Sequence, residues 1–470
     1  MAGPTTTTAS TRPASAVKTR SSKVQPSTGY VNGPNGTHIQ SHEKGQAFKV
    51  PEFTVKQLLD AIPAHCFHRS AIKSLRYVVQ DLAIYGSFSY AAWHIPTLLT
   101  YLDLPYWPNL ALKVVLYNVY WFAAGCIGMG IWVLAHEAGH GAFSESKILN
   151  DIVGWIFHSI WMVPYHSWRI SHGKHHAACG SATRDEVFAA RTRSDRKLPA
   201  FNPDKEDFFG MEVSEDRQHE THSAITEAFS DAPIVVLARL IGHQIFGLPL
   251  YLIINASGQK HYGWSVNHFL PSSKIFKSRD FWDIIWSDVG IATVIGIMVY
   301  WSKMRSWQEM ATFWLVPYMW VNHWLVLITF LQHTDPLIPH YSNETWNFSR
   351  GALATVDRNV LGFVGAYLQH GISETHICHH VSSKIPHYNA WEATEALKVF
   401  LGEHYVYSTE NVFVSLWKNF QECQFVEDGA DYMFYKNRHG LAKTFPHSEK
   451  GSVSDSAIEL EDPEDGTKAN

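Results

Sequence analysis

Four long apolar segments constrain the fold of this 470-residue chain more than any other feature. Each approaches or exceeds the roughly 20 residues that a helix needs to cross the hydrocarbon core of a bilayer, where every backbone polar group must be satisfied internally. Charged residues make up only 17% of the chain, below the roughly 25% usual for soluble domains, and this deficit also indicates a membrane protein. The predicted spans run over about 78–101, 111–135, 282–301 and 311–331.

Three histidine clusters, named here box one, box two and box three, are the second informative feature. Box one has H-x-x-x-H spacing and the other two have H-x-x-H-H spacing, so on a helix each box directs its imidazoles to one side. Neutral imidazole binds Zn, Cu, Fe and Ni, and eight imidazoles fit two ions better than one. The sequence therefore predicts a two-metal site. Its predicted ligands are His136, His140, His172, His175, His176, His376, His379 and His380.

A single site requires all three boxes to lie on one side of the membrane. Box one ends the second predicted span and box three follows the fourth, so the third and fourth spans supply the even number of crossings between them. Two further apolar stretches, at about 151–165 and 232–255, should then be interfacial or re-entrant. Basic residues before the first and third spans predict a cytosolic location for the boxes. These residues are Arg69, Lys73, Arg76, Lys274, Lys277 and Arg279.

The expected architecture is an all-α integral membrane protein. Four transmembrane helices would form two hairpins, with interfacial helices and a cytosolic histidine-box domain that holds two metals. Residues 1–45 are rich in Thr, Ser, Pro and Gly, and residues 446–470 are polar and acidic, so both tails should be disordered and cytosolic. One domain would occupy residues 46–445.

Box one alone is ambiguous, because His-Glu-Ala-Gly-His at 136–140 matches the H-E-x-x-H signature of zinc metalloproteases, with Glu137 as general base. A hydrolytic zinc site takes three protein ligands, so two further histidine clusters make the protease a distant alternative. An all-imidazole ligand set disfavours Mg and Ca, and the lack of clustered thiolates disfavours Fe–S centres. Iron is the preferred metal, because breaking the saturated C–H bonds of a lipid substrate needs activated oxygen. The ligands alone leave zinc open.

Further motifs surround the boxes. They are Asp-Ala-Ile-Pro-Ala-His-Cys-Phe at 60–67, Gly-His-Gly-Ala-Phe-Ser at 139–144, Val-Pro-Tyr-His-Ser-Trp-Arg at 163–169, Leu-Gln-His-Thr-Asp-Pro at 331–336, Arg-Gly-Ala-Leu-Ala-Thr at 350–355 and Ile-Pro-His-Tyr at 385–388. In content and order these motifs and boxes resemble the membrane fatty acid desaturases, and most closely their fungal and plant acyl-lipid branch. The resemblance covers roughly residues 50–440.

The resemblance implies a multi-pass enzyme of the endoplasmic reticulum membrane with two iron ions, O₂ as co-substrate and His333 as a ninth metal ligand. Electrons would come from NADH through a reductase and cytochrome b5, and the donor should be a separate protein because the chain has no His-Pro-Gly-Gly haem motif. The pattern looks most like the Δ12 (omega-6) enzymes, which convert oleoyl groups of membrane lipids to linoleoyl groups. An omega-3 (Δ15) or bifunctional Δ12/Δ15 desaturase, and a hydroxylase or acetylenase on the same scaffold, are the alternatives.

Other residues near the boxes are expected to support the metal site without binding the metals. Glu137, Asp185 and Glu374 are the carboxylates that could fix the orientation of a ligand histidine, as outer partners of metal-bound histidines commonly do. His370 lies off the ligand face of box three and is expected to form a hydrogen bond inside the protein. An acyl tunnel should pass the metal site, with walls from the spans and from the 155–165 segment. No catalytic residue is predicted beyond the metal centre.

Overall fold

The computed structural model describes residues 46–200, 232–263 and 266–446, together with strands at 30–32 and 37–38. Helices make up most of it. The α-helices are α1 (Val55–Asp60), α2 (Ala71–Trp93), α3 (Ile95–Leu102), α4 (Tyr106–His140), α5 (Lys147–Ile160), α6 (Tyr165–Ala178), α7 (Pro233–Ile254), α8 (Phe281–Met304), α9 (Trp307–Met310), α10 (Val316–His333), α11 (Phe348–Ala352), α12 (Gly362–Leu368), α13 (His376–Val381), α14 (His387–Leu401) and α15 (Val412–Glu422). A π-helical segment, Ala311–Leu315, joins α9 to α10, and 3₁₀ turns lie at Ala64–Phe67, Lys260–Tyr262, Ser278–Asp280 and Gly402–His404.

Four helices among the described residues are long and apolar enough to cross a membrane. They are Tyr106–His140, Pro233–Ile254, Ser278–Met304 and Trp307–His333. The first, third and fourth contain the predicted spans 111–135, 282–301 and 311–331. Three of the four predicted spans thus coincide with helices that are candidates for crossing a membrane.

The first predicted span, 78–101, is not one continuous helix. The chain breaks at His94, between α2 and α3. Pro96 explains the break, because proline lacks the N–H that a continuing helix needs and its ring clashes with the carbonyl four residues earlier. The helix α2, which carries Lys73, Arg76 and Asp81, is not among the four apolar helices.

The helix α7 occupies the stretch predicted to be interfacial at 232–255, and its 22 residues are long and apolar enough to cross a membrane. It packs along α10, where the Asn322 side chain donates hydrogen bonds to the carbonyls of Gln244 and Ile245. Pro249 lies inside the helix, and Asn255 ends it in the left-handed conformation. The stretch predicted to be interfacial or re-entrant is therefore one regular helix over almost its whole length.

The helix α4 explains how box one reaches beyond the hydrocarbon layer. Its 35 residues span about 50 Å at 1.5 Å per residue, against a layer of about 30 Å. His136 and His140 lie in its last two turns, and Gly141 ends the helix with φ +72°, a conformation that glycine adopts without a steric penalty. One helix can thus cross the membrane and still deliver two imidazoles outside it.

Short strands correct the expectation of an all-α fold. They are β1 (Tyr30–Asn32), β2 (Thr37–His38), β3 (Gln46–Phe48), β4 (His340–Tyr341), β5 (Asp357–Arg358), β6 (Val406–Ser408), β7 (Tyr432–Met433) and β8 (Thr444–Pro446). One four-stranded sheet has the order β2-β1-β6-β5, with β5 parallel to β6 and Asp357 opposite Tyr407. The pairs β3-β8 and β4-β7 form two small sheets. Strands β1 and β2 and residue 446 fall inside the tails predicted to be disordered; most of those two tails lies outside the described residues.

Two apolar clusters hold the fold together. The larger joins α4 to α10, with Trp132, Trp324 and Leu327 buried between them. The second lies beneath box three, where Ile377, Cys378 and Val381 pack against residues of α1 and α14. Cys378 is therefore a packing residue. Both clusters border the place where the histidines meet.

Candidate metal centre

All nine predicted ligand histidines converge at one end of the helical bundle, in two adjacent groups. In the first group five ring nitrogens lie within 4.8 Å of one another, and the same limit holds for the second group's three nitrogens and the sulfur of Cys179. His376 adjoins the second group, because its Nε2 lies 3.0 Å from Nε2 of His333. The first group contains His136, His140, His172, His176 and His379, and the second contains His175, His333, His380 and Cys179.

The helical spacing of the boxes accounts for this division. On α6, His172 and His176 are four residues apart and face the first group, whereas His175 is turned toward the second. On α13 the arrangement is reversed, since His379 joins the first group while His376 and His380 face the second. Both helices therefore bridge the two groups.

Close contacts between ring nitrogens mark the first group. Nε2 of His136 lies 3.0 Å from Nε2 of His172 and 3.3 Å from Nε2 of His140, and the Nε2 atoms of His172 and His176 are 3.2 Å apart. Nε2 of His379 is buried and has no hydrogen-bond partner within the described part of the chain. Several lone pairs thus point at one small volume, which is the donor arrangement that a cation needs.

The second group has the same character. Nε2 of His175 and both ring nitrogens of His380 are buried without a hydrogen-bond partner among the described residues. A buried polar atom left unpaired costs roughly 1–3 kcal/mol, so three of them in one place favour a bound ligand. His333 ends α10 with Nε2 toward His376 and Nδ1 3.7 Å from the sulfur of Cys179.

The histidines outside the spans are held in the form that binds metals. Burial and the neighbouring imidazoles lower the pKa of His172, His176, His376 and His380 well below its usual value. Burial likewise lowers the pKa of His379 to about 4. These rings are therefore neutral at physiological pH, and neutral imidazole is the metal ligand.

Asp185 is the one predicted carboxylate that contacts a histidine of the two groups. Its Oδ1 accepts a hydrogen bond from Nδ1 of His175 at 2.8 Å, and from the backbone N–H groups of Val187 and Phe188. Burial acts to raise the pKa of Asp185, but the His175 ring and these donors outweigh it and lower the pKa to about 2. A carboxylate at Nδ1 leaves Nε2 of His175 with its lone pair toward the site.

The other two predicted carboxylates have different partners. Glu137 binds His387, accepting from its backbone N–H and from Nδ1, so both carboxylate oxygens are occupied away from the metal groups. Glu374 accepts from the backbone N–H of Val360. Because Glu137 is already engaged, its geometry does not match the general base of a zinc metalloprotease.

Cys179 was not anticipated from the sequence. It lies four residues after His175, which belongs to the same group, a spacing that one helical turn makes adjacent, and this H-x-x-x-C pattern was the available signal. Burial raises the pKa of its thiol well above the usual value, which disfavours the thiolate form that binds metals. The geometry places Cys179 beside the second group, and its chemistry disfavours ligation.

A cavity of about 440 Å³ opens directly onto the histidines. Its walls come from α4, α6, α7 and α10, and they are mostly apolar and aromatic; Trp132, Phe246, Leu325 and Ile328 are examples. Five of the nine histidines line it: His136, His172, His175, His333 and His376. This shape and lining suit an apolar chain brought past a reactive centre.

The sequence did not predict that α7 forms a wall of this cavity, and the 155–165 segment does not line it. The 155–165 segment contributes Phe157, Ile160 and Trp161 to a separate cavity of about 890 Å³ between α2, α4, α5 and the region around Phe313. That cavity is larger, but it touches none of the nine histidines. Beside the metal groups the cavity wall comes from α7 and not from the 155–165 segment, and the course of the acyl tunnel stays a prediction.

Comparison with known proteins agrees with this geometry. A model of the fatty acid desaturase family matches residues 113–411. The chain is 45% identical to a Delta(12) fatty acid desaturase of Mortierella alpina and 44% identical to one of Mortierella isabellina, in each case over 83% of this chain and 92% of the relative. It is also 40% identical to an oleate hydroxylase of Claviceps purpurea, over 84% of this chain and 83% of the relative.

A bundle of long apolar helices, with clustered histidines that suit a metal ion beside an apolar cavity, indicates a lipid-modifying enzyme. The chain belongs to the fatty acid desaturase family. Its enzyme class is accordingly oxidoreductase, as the sequence predicted.

Proposed function

We propose that this protein is a Δ12 (omega-6) desaturase that converts oleoyl groups of membrane lipids to linoleoyl groups. The observation that carries the proposal is the pair of histidine groups opening onto an apolar cavity about 440 Å³ in volume. The relatives named Delta(12) desaturases support the choice of carbon, since they match over most of both chains.

The nine histidines would hold two iron ions. The ligands would be His136, His140, His172, His176 and His379 for one ion and His175, His333, His376 and His380 for the other. Iron bound there would supply the activation of O₂ that cleavage of an unactivated C–H bond requires. Zinc would satisfy the imidazoles equally well but has no redox chemistry.

The protein's own residues would orient the two groups and keep water out. Asp185 fixes the ring of His175, and the buried rings of His172 and His376 stay neutral. Apolar side chains of α7 and α10 would seat the acyl chain along the cavity and exclude water from the reacting carbons.

The site would face the cytosol at the endoplasmic reticulum membrane, with both termini on the same side. Support comes from the helix ends, because α4 and α10 both finish at the site, and α8 begins near it, where Arg169 of α6 pairs with Asp283. The helices α8 and α10 then supply the even number of crossings. The C-terminal end of α7 also lies on the site side, where the Tyr251 hydroxyl donates to Ser171 of α6. For the number of crossings to stay even, α7 would lie along the membrane interface rather than cross.

The electron donor would be cytochrome b5, reduced by its NADH-dependent reductase. Breaking two C–H bonds while reducing O₂ to two water molecules needs two electrons beyond those of the substrate. An external one-electron carrier at the membrane surface would meet this need.

Hydroxylation is the second candidate, and the oleate hydroxylase of Claviceps purpurea is the observation that favours it. A hydroxylase can use the same histidines and the same cavity. It would differ in the last step, in which the substrate carbon gains a hydroxyl group instead of forming a double bond. The two activities give different products from one substrate, so one experiment separates them.

The test is expression in a yeast host that makes oleate but no linoleate, followed by gas chromatography of its lipids. The expected product is 18:2, whereas a hydroxylated 18:1 would identify the hydroxylase and 18:3 formed only on linoleate feeding would identify an omega-3 enzyme. His175→Ala should abolish product at an unchanged protein level. Purified protein should contain about two irons per chain; zinc in their place would contradict the proposal.

A further inference from the structure

Two buried histidines that belong to neither metal group flank box three. His370 precedes box three by six residues, and its Nε2 lies 2.7 Å from Oδ2 of Asp81 on α2. His387 follows box three by seven residues, and its Nδ1 lies 2.7 Å from Oε2 of Glu137 on α4. At least nine-tenths of each of the four side chains is buried. The segment that carries box three is thus hydrogen-bonded at both ends to carboxylates, one on α2 and one on α4.

Box three needs such support because its own helix is short. The helix α13 has six residues, too few to be stable without tertiary contacts. It nevertheless has to direct His379 into one metal group and His376 and His380 into the other. Small rotations of α13 would therefore disturb both groups together.

The contact at Asp81 belongs to a continuous face of α2. Tyr77, one turn before Asp81, packs edge-on against the rings of His370 and His387, with centroid distances of 5.6 and 4.5 Å. The His370 and His387 rings also touch each other, at 4.5 Å between centroids. A buried carboxylate is costly unless it is paired, so the burial of Asp81 is explained by His370.

The backbone at His370 gives independent evidence of constraint. His370 has φ +58°, in the left-handed region that is sterically unfavourable for a non-glycine residue. Its turn lies directly against α4, where a Cβ at Gly130 would come within 2.1 Å of the Leu368 carbonyl oxygen. Only a glycine on α4 allows this approach, and the hydrogen bond to Asp81 holds the unfavourable conformation in place.

We infer that His370 and His387 are positioning residues of the metal centre, which fix box three against box one through Asp81 and Glu137. The inference rests on the proposed metal ligands, because it assigns these pairs the task of holding ligands in place. Neither pair contacts the substrate cavity. Their loss should therefore lower kcat and iron retention while leaving KM unchanged.

Two substitutions at one position separate the hydrogen bond from backbone strain. His370→Gly removes the hydrogen bond and relieves the left-handed conformation, whereas His370→Asn keeps a donor and tolerates positive φ. Asp288→Asn on α8 is the matched control, since Asp288 is a half-buried carboxylate far along the chain from box three, and its Oδ1 has no hydrogen-bond partner among the described residues. The first measurement is amide hydrogen exchange in the apoprotein, which does not depend on any metal.

We expect His370→Gly to speed exchange across residues 372–387, and His370→Asn and Asp288→Asn to leave it at the wild-type rate. Iron retention by His370→Gly should weaken by roughly 10–100-fold, the usual consequence of losing an outer-shell contact. Wild-type exchange and iron retention in His370→Gly would overturn the inference. If wild-type protein bound no iron, the proposed metal centre would fail, while the exchange data would still decide whether the two pairs hold box three.

A double variant that swaps Asp81 and His370 distinguishes loss of this contact from a general folding defect. The single variant Asp81→His should be less active and should show faster amide hydrogen exchange in box three, because two histidines then face each other. Combining it with His370→Asp restores one histidine and one carboxylate, and left-handed φ is tolerated by Asp. Recovery of slow exchange and kcat in the double variant would support the inference, and no recovery in a folded double variant would contradict it.

Discussion

Oδ1 of Asp185 lies 2.8 Å from Nδ1 of His175, and the two side chains are buried almost completely. The contact joins box two to the turn that follows it, ten residues along the chain. Because the carboxylate can only accept, Nδ1 carries the proton and Nε2 keeps its lone pair for the second metal group. A residue outside all three boxes thus sets how one of their histidines faces the site.

The first prediction concerns this contact. Asp185→Asn should weaken iron retention by roughly 10–100-fold, because the amide no longer holds the His175 ring with a charge-assisted hydrogen bond. Iron per chain after dialysis against a weak chelator measures the effect. Asp195→Asn, a more exposed carboxylate paired with Lys260, is the control and should retain wild-type iron. Equal iron in both variants would refute the role given to Asp185.

His333 provides the second prediction, since it is the proposed ligand outside the boxes. His333→Ala should abolish 18:2 formation and lower the iron content, because the second group loses the imidazole that faces His376. His323→Ala removes a half-buried histidine from the same helix α10, away from both groups, and should keep iron and activity. Lipid profiling with metal analysis checks both, and full iron in His333→Ala would remove it from the ligand set.

The third prediction tests the cavity. Gly242 on α7 lines it, and an added Cβ would meet no atom within 4 Å, so Gly242→Leu should project into the cavity without disturbing the helix. Oleate desaturation should fall at least about tenfold, while the iron content stays unchanged. Gly296→Leu on α8 is matched in residue type and open space but lies away from the cavity, and it should be neutral. Unchanged activity in Gly242→Leu would place the acyl chain elsewhere.

Metal removal gives the fourth prediction. Without a cation, the unpaired nitrogens of His175, His379 and His380 stay buried at an energetic cost, so the apoprotein should unfold at a lower temperature than the iron-loaded protein. A ligand at 100 times its Kd adds about 2.7 kcal/mol to stability, which is a measurable rise in Tm. Thermal unfolding in detergent, before and after anaerobic addition of Fe²⁺, measures it. His379→Ala should show a smaller rise, and an identical rise would argue against its ligation.

Much of the site followed from local patterns. Helical spacing predicted that each box presents its histidines to one side, and α6 and α13 do so at the positions expected. Spacing did not reveal that these helices divide their histidines between two groups, because that depends on how α4 and α10 approach them. The contact of Asp185 could be anticipated only as one of three carboxylates, since sequence distance does not say which carboxylate folds back.

The errors have local and non-local causes. Pro96 signals the helix break at His94, but the apolar residues on both sides of it favoured the prediction of one continuous span. The role of α7 as a cavity wall was not readable, because a stretch that carries Arg239, His243 and Pro249 has the composition of an interfacial segment. Packing against α10, which buries one side of α7, decided its role.

Hydropathy and helical period are properties of neighbouring residues, so they were enough to predict a helical membrane enzyme with clustered imidazoles. The grouping of the nine histidines, the walls of the cavity and the attachment of box three to Asp81 and Glu137 depend on tertiary packing. Those features join residues as many as 289 positions apart. Contacts over such separations arise from the packing of whole helices, which no local pattern encodes.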